Sequence, residues 1–332
     1  MRLVGIDENG YGPILGPLVV TAASAKLKEN AIREPEGSNP VPNLWSLLKI
    51  KDTPGDTLFV CDSKEAFTSN KKGYAEDLVL TFFFLTFGFL PETADQFLKP
   101  LLINQRLGLP FPCSKEGTPP FCWQNDLDLK IDSARRKLIL KNASNLKKMA
   151  ERADVKFEKP CSLLLCPRLF NEGVERTHNN KSDLVITLGL QILSLYLVEK
   201  NLYAFIGKVG MTKSYGQRLS HFLERRYLVW TIEEKKEASR YQLYETTGRE
   251  VGQVTYLLAG EKNSFLIALA SLFGKYLREL FWKKTQKYFE ELDPQLPGAS
   301  GYRNLKTRTF ISATERLRKE LLFPQGCFLR KK

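Results

Sequence analysis

The sequence predicts a mixed α/β fold: a central sheet with flanking helices, an insertion, and a C-terminal helical part. Three observations carry this. Two short apolar runs, residues 3–6 and 18–20, flank a turn punctuated by Gly10, Gly12 and Pro13, and read as paired strands. Helical and strand patterns then alternate along the chain, as a mixed sheet covered by helices requires. A long helical pattern with an apolar stripe fills about residues 264–292.

Taken in order, residues 1–27 are two strands around an acidic turn. Residues 30–56 bear Pro, Gly and Asn and read as a loop with a short helix. Residues 58–60 form a brief strand that runs into Asp62-Ser63-Lys64. Residues 73–90 are apolar at mixed spacing and admit helix or strand. Residues 91–135 are rich in turn signals and read as an insertion. A basic helix is expected over 136–152 and a strand over 155–168. Ser182 is the expected N-cap of a helix reaching about residue 200, with Asp183 in its first turn. Strands follow at 203–206, 227–232 and 254–258. After the helix at 264–292, a Pro/Gly linker at 294–300 leads to a basic helix at 308–321. No internal repeat is visible. This gives one domain over 1–292, with the insertion at about 91–135, and a helical extension over 293–332.

With 332 residues, 43% hydrophobic and 11% aromatic, the chain can build a sizeable core. Its net charge of +13 points to a polyanionic partner, most simply nucleic acid; a lysine-rich solvated surface is the alternative. No secretory or transit segment is visible. The longest apolar runs, 78–90 and 184–198, fall short of the ~20 residues that span a bilayer. A cytoplasmic monomer without membrane contact is expected. The six cysteines form no Cys-x-x-Cys pair and the only histidines are His178 and His221, so neither structural zinc nor a disulfide framework is expected.

The chemistry is concentrated in a few segments. Residues 4–17 read Gly-Ile-Asp-Glu-Asn-Gly-Tyr-Gly-Pro-Ile-Leu-Gly-Pro-Leu. Asp7 and Glu8 close the first apolar run. Adjacent strand residues point to opposite faces, so the two acids are expected to share a site only if the strand ends between them. Two acids beside exposed backbone amides suit a hard cation such as Mg²⁺ and a phosphate ligand. At Asp62-Ser63-Lys64, Asp62 or Ser63 can cap a helix and Lys64 can reach a phosphate as a point charge. Farther on, Glu261 precedes the long helix, where the positive helix end favours an acid. On that helix Ala268, Ala270 and Gly274 permit close approach to a sheet. Leu269, Leu272, Phe273, Tyr276 and Leu280 form its apolar stripe. Ser271, Lys275 and Arg278 are expected to form one polar, basic face.

These segments, in this order, resemble ribonuclease HII. That family has Asp-Glu followed by Ala-Gly-Arg-Gly-Pro and Gly-Pro; here Asn9 stands for the alanine and Tyr11 for the arginine. Asp62-Ser63-Lys64 matches its Asp-Ser-Lys. Ile267, Ala268, Ala270, Ser271, Lys275 and Arg278 coincide with its Ile-Ala-Ala-Ala-Ser-Ile-x-Ala-Lys-Val-x-Arg-Asp stretch, and Glu261 stands at a metal-binding aspartate. Gly301-Tyr302 is similar to a Gly-Tyr whose tyrosine stacks on the sugar at the scissile junction. Phe328 is similar to a phenylalanine of the terminal His-Arg-x-Ser-Phe, whose histidine and arginine are absent. Residues 91–135 have no counterpart.

The resemblance implies a ribonuclease H-like fold, Mg²⁺ or Mn²⁺ held by catalytic Asp7, Glu8 and Glu261, and an RNA–DNA hybrid as partner. Gly10, Tyr11, Gly12, Lys64, Lys275, Arg278 and Tyr302 would contact the nucleic acid. It breaks at the strand 203–206: where the family has Val-Leu-Val-Asp-Gly, with a central metal-binding Asp, this chain has Gly207 followed by Lys208. An ammonium there is expected to repel cations. Asp183, Glu233 and Glu234 are not brought into the site by any feature of the sequence. Two functions stay open: a metal-dependent endonuclease that hydrolyses RNA in hybrids, or a nucleic-acid-binding homologue with lost or reduced cleavage.

Overall fold

The structure is a computed structural model that describes residues 1–28, 41–53, 58–68, 72–108, 129–131, 135–198, 201–210, 212, 214–224 and 226–331. Its strands are β1 (Arg2–Asn9), β2 (Leu18–Leu27), β3 (Val155–Phe157), β4 (Cys161–Leu165), β5 (Leu202–Gly207), β6 (Tyr227–Glu234), β7 (Ala238–Glu245) and β8 (Glu250–Leu257). The helices are α1 (Leu44–Leu48), α2 (Ser63–Ala66), α3 (Lys72–Phe87), α4 (Ala94–Leu101), α5 (Arg136–Arg152), α6 (Pro167–Arg176), α7 (Lys181–Ser194), α8 (Gly216–Leu223), α9 (Gly260–Asn263), α10 (Phe265–Leu292), α11 (Leu305–Ala313), α12 (Glu315–Glu320) and α13 (Gln325–Phe328).

All the strands form one mixed sheet in the order β3-β2-β1-β5-β8-β7-β6, with β4 also paired to β2. β1 and β2 are the expected antiparallel pair, Glu8 lying opposite Val20. β5 runs parallel to both β1 and β8, and the β6–β7–β8 meander is antiparallel. The sheet is mixed and covered by helices on both faces, the fold class expected. The period of two in β1 divides the core: Leu3 joins the layer under α3, α5 and α10, whereas Val4 and Ile6 join the layer under α6, α7 and α8. Helix α10 lies very close to the sheet. A Cβ on Gly5 would lie 2.1 Å from the Leu266 carbonyl carbon, and one on Gly274 would lie 2.1 Å from Asn9 Oδ1. The C-terminal helices complete the α10 side, where Phe310, Phe323 and Phe328 surround Phe289.

Several elements differ from expectation. The cap of α7 is Asn180, whose side chain accepts from Ser182 N and Asp183 N. The stretch 155–168 is two short strands leading into α6. Phe59 makes only an isolated bridge to Lys51. The C-terminal helix breaks at Thr314 into α11 and α12. Residues 73–90 resolve as α3, apolar nearly all round because it is packed on several sides. Within 91–135, α4 is built into the core: Phe97 stacks on Phe273 at 6.2 Å, and Asn104 exchanges two hydrogen bonds with the Leu164 backbone, at 2.7 and 3.0 Å. Residues 109–128 and 132–134 of that stretch lie outside the described residues. Among the described residues, no helix is long and apolar enough to cross a membrane.

Candidate active site

β1 and β5 run side by side, Ile6 opposite Ile206, so Asp7 arrives beside Gly207. The expected strand break between the two acids is absent: β1 continues through both to Asn9. Asp7 and Glu8 both border Gly207, where β5 ends. A Cβ there would lie 3.2 Å from Asp7 Oδ1 and 3.9 Å from Glu8 Oε2. The third acid comes from α9. After β8, Ala259 takes a left-handed turn (φ 48°) that folds α9 back onto the end of β5. A Cβ on Gly260 would lie 3.4 Å from Gly207 Cα, which brings Glu261 to the same corner.

The acids feel one another. Burial, then Glu8, then Glu261 push Asp7 well above the usual carboxylate range, opposed by a hydrogen bond with Ser271. Glu8 is pushed up to about 8 by burial and Glu261, while Lys64 pulls it down. Asp7 is 6% exposed and its Oδ2 is buried with no hydrogen-bond partner. Ser271 Oγ meets Ser63 Oγ at 2.9 Å and ties α10 to α2. Asp62 caps α2 by accepting from Lys64 N at 2.9 Å, leaving the Lys64 side chain exposed beside Glu8. Oxygen donors crowded against their own repulsion, one of them orphaned, have the chemistry of a seat for a hard cation. The ligand set is small: among the described residues no three or more His, Cys, Asp or Glu side chains stand ready to hold one ion. Glu261 acts on Asp7 and Glu8 through its charge without completing a group of three.

Lys208 does not face this corner. Its Nζ donates to Lys235 O (2.6 Å), Lys236 O (3.2 Å) and Ser239 Oγ (2.9 Å), so the expected repulsion of cations is not built into the fold. Among the described residues, none of the acids weighed as substitutes stands beside Gly207. Asp183 pairs with Arg218 at 2.6 Å, Glu233 with Arg240 at 2.6 Å and Lys235 at 2.8 Å, and Glu234 accepts from Tyr241 and from Gly216 N.

The glycine turn stands next to the acids. Gly10 has φ +94°, and Gly12 faces open space. Tyr11 Oη lies 3.0 Å from Ser182 Oγ. The polar face expected on α10 is largely buried: Ser271 meets Ser63 of α2, and Arg278 lies beneath Leu15 and the C-terminal segment. Arg278 is 1% exposed, its Nη2 3.5 Å from Leu15 O and its guanidinium 5.7 Å from the Tyr302 ring centre. Lys275 pairs with Glu279 at 2.6 Å, and Tyr302 is exposed. Sequence reasoning missed Arg330, whose guanidinium donates to Gly10 O and Tyr11 O while its backbone N donates to Ile14 O at 2.9 Å. It also missed the Ser63–Ser271 link, for which Ser271, a polar residue within a small-residue helix, was a visible signal.

No protein-family profile and no curated protein matches the chain. Among solved structures it is similar to a chain of the PCNA:RNase HII complex from Archaeoglobus fulgidus, at 14% identity over 100% of this chain and 95% of that one, with a TM-score of 0.40. It is similar to the ribonuclease H2 from Pyrococcus horikoshii OT3 at 13% identity over 99% and 92% of the two chains, with a TM-score of 0.42. Likeness to Bst-RNase HIII in complex with Mn²⁺ is 12% identity over 100% and 66%, with a TM-score of 0.37.

Proposed function

We propose that this protein binds RNA–DNA hybrids and hydrolyses their RNA strand with the help of a divalent cation, Mg²⁺ or Mn²⁺. The observation that carries this reading is the convergence of Asp7, Glu8 and Glu261 at the end of β5, beside Lys64, in a chain of net charge +13. Asp7 and Glu8 would hold the ion, and Glu261 would add to the negative field that attracts it. When bound, the ion supplies a polarised phosphate oxygen and an activated water. The protein's own groups do the rest. Ser271 lies beside Asp7, favours its ionised form and ties α10 to α2 through Ser63. Lys64 offsets the charge of Glu8 and is exposed to meet a phosphate. The Gly10–Gly12 turn offers backbone amides to the strand.

A second reading, binding with little or no cleavage, is favoured by Gly207. The residue stands against both carboxylates and contributes none of its own. The deciding experiment is cleavage of an end-labelled RNA–DNA hybrid with Mg²⁺ or Mn²⁺, by the wild type and by Asp7→Asn. Cleavage that Asp7→Asn abolishes supports the first reading. Tight binding without cleavage in either metal supports the second. Cleavage that Asp7→Asn leaves intact places the chemistry elsewhere.

A further inference from the structure

A second cluster borders the glycine turn, and it is cationic. Helix α7 begins at Lys181, where its dipole adds partial positive charge although Asn180 already caps the amides of Ser182 and Asp183. Lys181 Nζ lies 5.6 Å from the centre of the Phe170 ring, and the Arg330 guanidinium lies 3.8 Å from the same ring, so one ring carries both cations. Arg330 is 5% exposed and its Nε is buried with no hydrogen-bond partner. Burial and then Arg278 push Arg330 down to about 9; burial, Arg330 and then Arg303 hold Lys181 below its ordinary value. Two hydroxyls stand at the same place, Tyr11 Oη and Ser182 Oγ, 3.0 Å apart.

The neighbouring acids are committed to other partners: Asp183 to Arg218 and Asn180, Glu175 to Lys331, and Glu279 to Lys275 and Arg278. Among the described residues none of Lys181, Arg303 and Arg330 shares a salt bridge with these acids. Cations gathered without an acid repel one another, and that repulsion is offset by an anion with several acceptor oxygens.

We propose that the start of α7, with Lys181, Ser182, Tyr11, Arg303 and Arg330, is a phosphate seat for the backbone of the bound nucleic-acid strand. The inference rests on the nucleic-acid reading and adds to it a second point of attachment. Tyr11 follows Glu8 by three residues, which places the seat within roughly 11 Å of main chain from the acids. It also gives the tyrosine at position 11 a role. Its hydroxyl docks on Ser182, and the charge that an arginine there would supply comes from Lys181 and Arg303. Arg330 is a positioning residue: it holds Gly10 and Tyr11 through their carbonyls and backs the seat from beneath.

The test measures binding of a fluorescent RNA–DNA hybrid across a salt series for the wild type, Lys181→Ala/Arg303→Ala, and a charge-matched control, Lys137→Ala/Lys141→Ala. The control residues are exposed on α5, which packs on the opposite face of the sheet from α7. The double variant at the seat should bind about tenfold more weakly at low salt. Its log–log salt slope should fall by about two, one per phosphate-contacting cation, and the control's by less. Inorganic phosphate should displace the hybrid from the wild type more readily than from the seat variant. Equal slopes for the seat variant and the control would overturn the proposal while leaving nucleic-acid binding intact. Phosphate binding lost in the variant with hybrid affinity unchanged would also overturn it, and would make the seat a site for free anions. A wild type that binds no hybrid at low salt would remove the nucleic-acid reading itself.

Discussion

Asp7 and Glu8 are neighbours on an unbroken strand, yet both carboxylates border one corner, at Gly207. Their like charges have a consequence for the metal-free protein. Glu8 has a folded pKa of about 8 against an ordinary 4.5, so the folded state holds a proton that the unfolded chain releases. That contribution to stability is complete below pH 4.5 and is lost as pH rises through 8. In chelator, the melting temperature should therefore fall between about pH 4.5 and 8, and Glu8→Gln should flatten the fall; a wild-type curve that rises over this window would contradict the crowding. Gly207→Asp tests the same corner from the other side. Its Cβ would meet Asp7 Oδ1 at 3.2 Å, so Asp7 must yield by a few tenths of an ångström while another negative charge enters. The variant should be less stable than wild type in chelator and more strongly stabilised by Mn²⁺, because a third oxygen ligand joins the pair. Lys208 does not oppose this, since its ammonium is spent on the hairpin at 235–239. Mn²⁺ that stabilises both proteins equally would show that position 207 is not at the ion.

Close contact between β1 and α10 sets the positions of the acids, and glycines make it possible. Gly5→Ala would drive a methyl to 2.1 Å from the Leu266 backbone, which cannot yield as a flexible side-chain tip does. It should cost at least the ~1–3 kcal/mol usual for overpacking, whereas a methyl on Gly12 meets open space and should leave the unfolding midpoint nearly unchanged. Comparable losses from the two would contradict the packing described. At this scale the sequence was readable wherever local pattern and tertiary role agree. The β1–β2 hairpin, α5 and α10 stand close to where their periodicity put them. The misses have physical causes. β7 alternates, but Arg240, Gln242 and Tyr244 on its more exposed face and Ser239 on its buried face mask the pattern. The N-cap moved from Ser182 to Asn180 because either residue can cap, and only the path of the chain decides between them. Arg278 sat on a polar stripe in the sequence and lies buried in the fold, because nothing local announces that residues 300–331 return to cover α10. Arg330 was illegible for the same reason: its partners, Gly10 and Tyr11, are 320 and 319 residues away.

For the whole molecule, the charges oppose one another in an informative way. A net charge of +13 favours a polyanion, while the corner at Asp7, Glu8 and Glu261 would repel the phosphates of a hybrid laid across it. Binding of a hybrid should weaken steeply with salt, because phosphates that meet lysine and arginine release their counterions. Overlaid on that is a local condition: the acids must be neutralised before a strand can settle. Protons do so below the pKa of Glu8, and a divalent cation does so at any pH where the acids are ionised. In chelator at fixed ionic strength, hybrid affinity should therefore be higher at pH 6 than at pH 9, and Mg²⁺ should restore it at pH 9. Replacing the acids by their amides, Asp7→Asn with Glu8→Gln, should remove both the pH dependence and the effect of Mg²⁺ while leaving the salt dependence. Affinity that rises from pH 6 to pH 9 in chelator, or an amide variant that still responds to Mg²⁺, would mean that the strand does not cross this corner.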